Sequence, residues 1–164
     1  MKVLVDTCIW SSALRHKTPD LNIDKKLKEL IADGRLAIIG PIRQELLSGI
    51  SKESHFESIR EYLAPFEDIP LTTKHFYTAA EFSNFCMKKG IQGSNTDFLI
   101  CSVACLENLE IFTVDGDFIN FKKHLPISLF FEDISGIWDV REDLPDYKDL
   151  RKGWRKRSSR NRTA

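Results

Sequence analysis

Five carboxylates stand out by where they fall in the chain. Asp6 ends a short apolar run, Lys2-Val3-Leu4-Val5, and Asp115 follows another, Glu110 to Val114, with Asp117 two residues on. Asp97 falls in the first turn of the most apolar helical stretch, and Glu45 lies on a short helix opened by Pro41. If the two runs are neighbouring strands of one sheet, all five acids gather at the edge where those strands end. Crowding carboxylates together is unfavourable unless something positive sits among them. A hard divalent cation with oxygen ligands, Mg²⁺ or Mn²⁺, meets that need. Such an ion lowers the pKa of a bound water, orients it against a phosphodiester and stabilises the leaving oxygen. Taken singly, each acid also has a local explanation: Asp6 as an N-cap, Asp97 as a charge at a helix N-terminus, Asp115 and Asp117 as turn formers in Asp-Gly-Asp. None of these explains why the acids end strands that must lie side by side.

Other chemistries are poorly represented. There is no G-x-x-x-x-G-K-[ST] loop, no G-x-G-x-x-G and no G-x-S-x-G elbow. His16, His55, His75 and His124 lack the mutual spacing of a metal site and read as solvated or capping side chains. Cys8, Cys86, Cys101 and Cys105 form no C-x-x-C pair, and Cys101 and Cys105, one turn apart, read as small buried hydrophobes. A phosphatase of the haloacid-dehalogenase type would need Asp-x-Asp after the first strand, and Cys8 occupies the second position.

The elements that must position the acids follow from periodicity. Residues 2–5, 35–39, 110–114 and 127–131 read as strands. Helical spacing covers residues 7–15, 21–33, 42–47, 53–63, 74–89 and 96–107, with a short turn near Phe121. The helix over 74–89 is expected to bury Phe76, Ala79, Ala80, Phe82 and Phe85, although Phe82 with Phe85, and Ile9 with Trp10, could instead line exposed apolar grooves. Strands alternating with helices imply an α/β fold, a three-layer α/β/α sandwich with a central, mainly parallel sheet. Sites on such sheets collect at the strand C-termini.

The 164 residues are 42 % apolar and 29 % charged, which is ordinary for a soluble globular domain. All 24 acids lie in residues 1–150, while seven of the 24 bases lie in 151–164, so the body is net −7 and the tail net +7. The expected division is a folded domain over 1–137, carrying the acids, and a charged extension over 138–164 with a basic tail. No run approaches the ~20 apolar residues of a membrane span, and no export signal is visible, so a cytoplasmic protein without membrane association is expected.

Four segments, in order, resemble the PIN-domain ribonucleases: Val5-Asp6-Thr7-Cys8-Ile9-Trp10, Ile42-Arg43-Gln44-Glu45-Leu46-Leu47, Thr96-Asp97-Phe98-Leu99-Ile100-Cys101 and Phe112-Thr113-Val114-Asp115-Gly116-Asp117-Phe118. The likeness spans about residues 1–132 and is nearest to the VapC-type toxins of toxin–antitoxin pairs. It implies an acidic quartet of Asp6, Glu45, Asp97 and Asp115, with Asp6, Asp97 and Asp115 holding Mg²⁺ or Mn²⁺, and Asp117 as an auxiliary acid. Thr7 and Thr113 would support the site by hydrogen bonding to carboxylates or water. Cys8 stands where the family commonly has Ser, which questions a small hydrogen-bonding role there. The resemblance implies endoribonuclease activity on cellular RNA, such as tRNA or rRNA loops, a VapB-like antitoxin partner and a homodimer. The alternative is a non-catalytic PIN-like module that binds RNA or protein. In the tail, Arg151, Lys152, Trp154, Arg155, Lys156 and Arg157 could form an RNA-binding arm, or simply a solvated end.

Overall fold

In the computed structural model, residues 1–15 and 20–130 are described. The 138–164 extension, its candidate RNA-binding residues and His16 lie outside the described residues. Four strands form one sheet: β1 (Val3–Val5), β2 (Leu36–Ala37), β3 (Glu110–Phe112) and β4 (Ser128–Leu129), in the order β2-β1-β3-β4. Every pairing is parallel, with Val3 opposite both Leu36 and Glu110, and Glu110 opposite Ser128. The strands are shorter than periodicity suggested but fall inside the expected segments. β1 is buried throughout, because a parallel sheet covered by helices on both faces needs apolar residues in succession.

The helices are α1 (Thr7–Arg15), α2 (Leu21–Ala32), α3 (Gly40–Leu47), α4 (Glu53–Leu63), α5 (Thr73–Lys88), α6 (Asn95–Leu106) and α7 (Asp117–Lys122). They make the expected three-layer α/β/α arrangement. Each has a local cause. Asp20 caps α2 by accepting from Asn22 and Ile23 N–H groups. Pro41 sits in the first turn of α3, where its missing N–H costs nothing. Ser94 and Asp97 exchange the two bonds of a capping box at the start of α6. α6 is nearly all buried from Asp97 to Ala104, which fits its continuous apolar sequence. Among the described residues, no helix is long and apolar enough to cross a membrane.

α5 corrects the expected packing. Its buried residues are His75, Ala79 and Cys86, with Phe82 partly buried. Phe76 is 51 % and Phe85 45 % exposed, and Ala80 also faces out. The buried set is spaced i, i+4, i+7, i+11, one true helical stripe, and its small members let α5 approach α6 closely. His75 is not solvated: its Nδ1 accepts from the Thr72 N–H at 3.0 Å, capping α5, and Nε2 lies 3.1 Å from Glu107 on the residue after α6.

Ile9 and Trp10 are fully buried and line no groove. Trp10 packs against Tyr62 and Phe66, joining α1 to the end of α4, and its Nε1–H has no hydrogen-bond partner among the described residues. Arg43 closes the same corner. Its guanidinium donates to both Asp68 oxygens and to the carbonyls of Leu63 and Phe66. Of the pair expected to be small buried hydrophobes, Cys101 is buried and Cys105 only partly so, and Cys86 is also a buried free thiol.

Candidate active site

Asp6 is the first residue after β1, and its backbone N–H still continues the ladder to the Phe112 carbonyl of β3 at 3.0 Å. That pairing fixes Asp6 beside the end of β3, where Thr113 and Asp115 follow. Asp6 is 5 % exposed. Its Oδ1 accepts from the Thr7 N–H at 2.6 Å, and its Oδ2 accepts from the Thr113 hydroxyl at 2.8 Å and the Cys8 thiol at 3.2 Å. Burial pushes the Asp6 carboxyl from its ordinary 3.8 up to about 7. The Thr113 and Cys8 hydrogen bonds oppose that rise, while the negative charges of Asp97 and Asp115 add to it. Asp97 and Asp115 therefore both lie within range of the Asp6 carboxyl.

Glu45 enters from α3, and both its oxygens are engaged. Oε2 accepts from the Thr7 hydroxyl and Oε1 from the Thr96 hydroxyl, each at 2.9 Å. Thr7 thus serves two acids, giving its amide to Asp6 and its hydroxyl to Glu45. Asp97 is 5 % exposed, and its Oδ2 accepts from the Ser94 N–H at 2.7 Å, the return half of the capping box. Asp115 donates its own N–H to the Thr113 hydroxyl at 3.0 Å and accepts the Asp117 N–H on Oδ1 at 2.9 Å. Cap and turn roles and membership of an acid cluster thus coexist in Asp97 and Asp115.

Cys8 keeps a hydrogen-bonding role, contrary to the doubt its identity raised. Burial and the neighbouring Asp6 push its thiol well above the ordinary value, so it stays protonated and able to donate. The Val114 N–H in turn points at its sulfur at 3.5 Å. Sulfur, larger than the oxygen of Ser, reaches Asp6 at a longer distance without changing the pattern. Ser94 and Thr96 were not expected among the supporting residues. The S-x-x-D spacing before an apolar helix was the available signal for Ser94, and nothing local marks Thr96.

The groups that hold Asp6 and Glu45 are neutral: one amide, one thiol and three hydroxyls. All the acids offer hard oxygen donors, the set that suits Mg²⁺ or Mn²⁺. Among the described residues, no three His, Cys, Asp or Glu side chains are drawn together tightly enough to cage an ion as they stand. Mg²⁺ does not need such a cage, because it keeps several waters and binds through one or two carboxylates plus substrate phosphate. The donor set therefore fits the ion.

The fold recurs in proteins of known structure. Solved structures with the same fold include FitAcB from Neisseria gonorrhoeae, at 20 % identity and TM-score 0.65, covering 79 % of this chain and 96 % of that one. VapBC2 from Rickettsia felis, solved bound to a DNA fragment from its promoter, is 28 % identical with TM-score 0.64, covering 79 % of this chain and 97 % of that one. VapBC-1 from nontypeable Haemophilus influenzae is 17 % identical with TM-score 0.62, covering 79 % and 98 %. No curated protein matches the chain. The PIN domain profile matches residues 3–124, a span that includes Asp6, Glu45, Asp97, Asp115 and Asp117, and the chain belongs to the PIN domain family.

Proposed function

We propose that this protein is a Mg²⁺- or Mn²⁺-dependent endoribonuclease and the toxin of a toxin–antitoxin pair. The observation that carries the reading is Asp6: a buried carboxyl whose donors among the described residues are all neutral, pushed to about 7 by burial and further by Asp97 and Asp115. That is the electrostatic state of a pocket suited to a divalent cation. Asp6, Asp97 and Asp115 would hold the ion directly or through water, and Asp117, in the first turn of α7, would support Asp115. When bound, the ion supplies positive charge beside the phosphodiester and makes water acidic enough to attack near neutral pH. Glu45, oriented by two hydroxyls, completes the shell or orients the attacking water. Thr7 and Thr113 keep the carboxylates in place. Hydrolysis of this kind does not use the ribose 2′-hydroxyl, so it leaves 5′-phosphate and 3′-hydroxyl ends.

The partner assignment has separate support. Two of the similar structures named above are VapBC proteins, and VapBC is a family of toxin–antitoxin systems, which favours a VapB-like antitoxin for this chain. A homodimer, a cytoplasmic setting, tRNA or rRNA loops as targets and an RNA-binding role for residues 151–157 belong to the same proposal. A non-catalytic PIN module would be free to lose one acid, yet here all four are present: Thr113 takes the Asp115 N–H and gives its hydroxyl to Asp6, Thr7 gives its amide to Asp6 and its hydroxyl to Glu45, and Thr96, which also holds Glu45, adjoins Asp97.

Purified protein is incubated with total RNA, with Mn²⁺ or with EDTA, beside Asp97→Asn. The expected result is cleavage that EDTA abolishes, that Asp97→Asn lowers by at least about a hundredfold, and that leaves 5′-phosphate ends. Cleavage that survives EDTA, or products ending in 2′,3′-cyclic phosphate, would overturn the proposal.

A further inference from the structure

We infer that Thr96 is a positioning residue, whose hydroxyl holds Glu45 against the acid-bearing first turn of α6. The inference rests on the nuclease reading of the site and adds a residue to it. Glu45 projects from α3 on a long side chain with three rotatable bonds, and fixing such a chain costs conformational entropy. Two hydroxyls from elements far apart in sequence fix it, Thr7 of α1 on Oε2 and Thr96 of α6 on Oε1, each at 2.9 Å. Each oxygen keeps a second lone pair for water or an ion. Thr7 adjoins Asp6 and Thr96 adjoins Asp97, so the pair of bonds sets Glu45 relative to both.

Thr96 is suited to this task by its place in the helix. Ser94 makes the capping bond to the Asp97 N–H at 3.1 Å, so the Thr96 hydroxyl is not spent on the orphan amides of α6. Its β-branch restricts the rotamer, so the hydroxyl is aimed by the helix that carries Asp97. α3 and α6 are joined at the pocket through this bond.

The test compares Thr96→Ala with Thr96→Ser, both compatible with a helix, in the full chain. With Mn²⁺ and an RNA substrate, Thr96→Ala should lower kcat about tenfold while KM stays within about twofold, and Thr96→Ser should stay within about twofold of wild type on both. In metal-free protein, urea unfolding of Thr96→Ala, Glu45→Ala and the double variant should be non-additive, because the second substitution removes a bond the first has already broken. Equal kcat in wild type and Thr96→Ala, an equal loss in Thr96→Ser and Thr96→Ala, or additive unfolding energies would overturn the inference. A wild type without EDTA-sensitive cleavage would instead overturn the nuclease reading, and the unfolding cycle would still decide whether Thr96 holds Glu45.

Discussion

Replacing Asp6 with Asn should stabilise the metal-free protein more at pH 8 than at pH 5. In the unfolded chain the Asp6 carboxyl ionises near 3.8, whereas in the fold it keeps its proton up to about 7. Between those values the folded state binds a proton that the unfolded state has lost. Stability from this group is therefore whole below about pH 4, falls as pH rises, and is lost in full above about pH 7. The difference between 3.8 and about 7 corresponds to about 4 kcal/mol, of which about 2–3 kcal/mol develops between pH 5 and pH 8. Asn carries no charge, so its variant escapes that penalty. It also disturbs the bonds from Thr7, Cys8 and Thr113, but that cost is common to both pH values and cancels when they are compared. The assay is urea unfolding of both proteins in EDTA at pH 5 and pH 8. The stability gap, variant minus wild type, should widen by about 2–3 kcal/mol at the higher pH. A gap that stays constant would refute the idea that Asp6 is a costly buried charge. Mn²⁺ at pH 8 should stabilise wild type and leave Asp6→Asn almost unmoved.

Three further substitutions test how the pocket is held. Ser94→Ala removes the acceptor for the Asp97 N–H and should cost about 1 kcal/mol in urea unfolding. Gly93→Ala would place a Cβ 2.6 Å from the Phe121 ring and 3.0 Å from the Phe98 ring, in the loop that leads into α6. Because two packed rings must move, a loss of about 1–3 kcal/mol is expected, measured the same way. Arg43→Met keeps the apolar stem but strands the Leu63 and Phe66 carbonyls and Asp68, and should lower stability by about 1–3 kcal/mol.

The fold was largely legible because its signals are local. Periodicity placed six of the seven described helices within two residues at either end, with α7 expected only as a short turn near Phe121, and the apolar runs marked all four described strands. The acids were legible for a different reason: a parallel sheet brings strand ends to one edge, so Asp6 and Asp115 had to be close whatever the details. What could not be read was rotation and reach. The face of α5 depends on how its small residues meet the facing helix, so Phe76, expected in the core, lies exposed, and Phe85 takes the exposed alternative that the sequence left open. The link from Thr96 to Glu45 spans two elements 51 residues apart, and no sequence spacing encodes it. Cys8 was misjudged by chemical type, since a thiol kept protonated by its surroundings still donates.

The order of the strands has a consequence for synthesis of the chain. β1, made first, lies between β2 and β3, and β3 arrives more than a hundred residues later. Until then Asp6 has neither the Thr113 hydroxyl nor the neighbouring charge of Asp115. A growing polypeptide therefore carries every early part of the pocket in an unassembled form, and its acids come together only when the last central strand slots in.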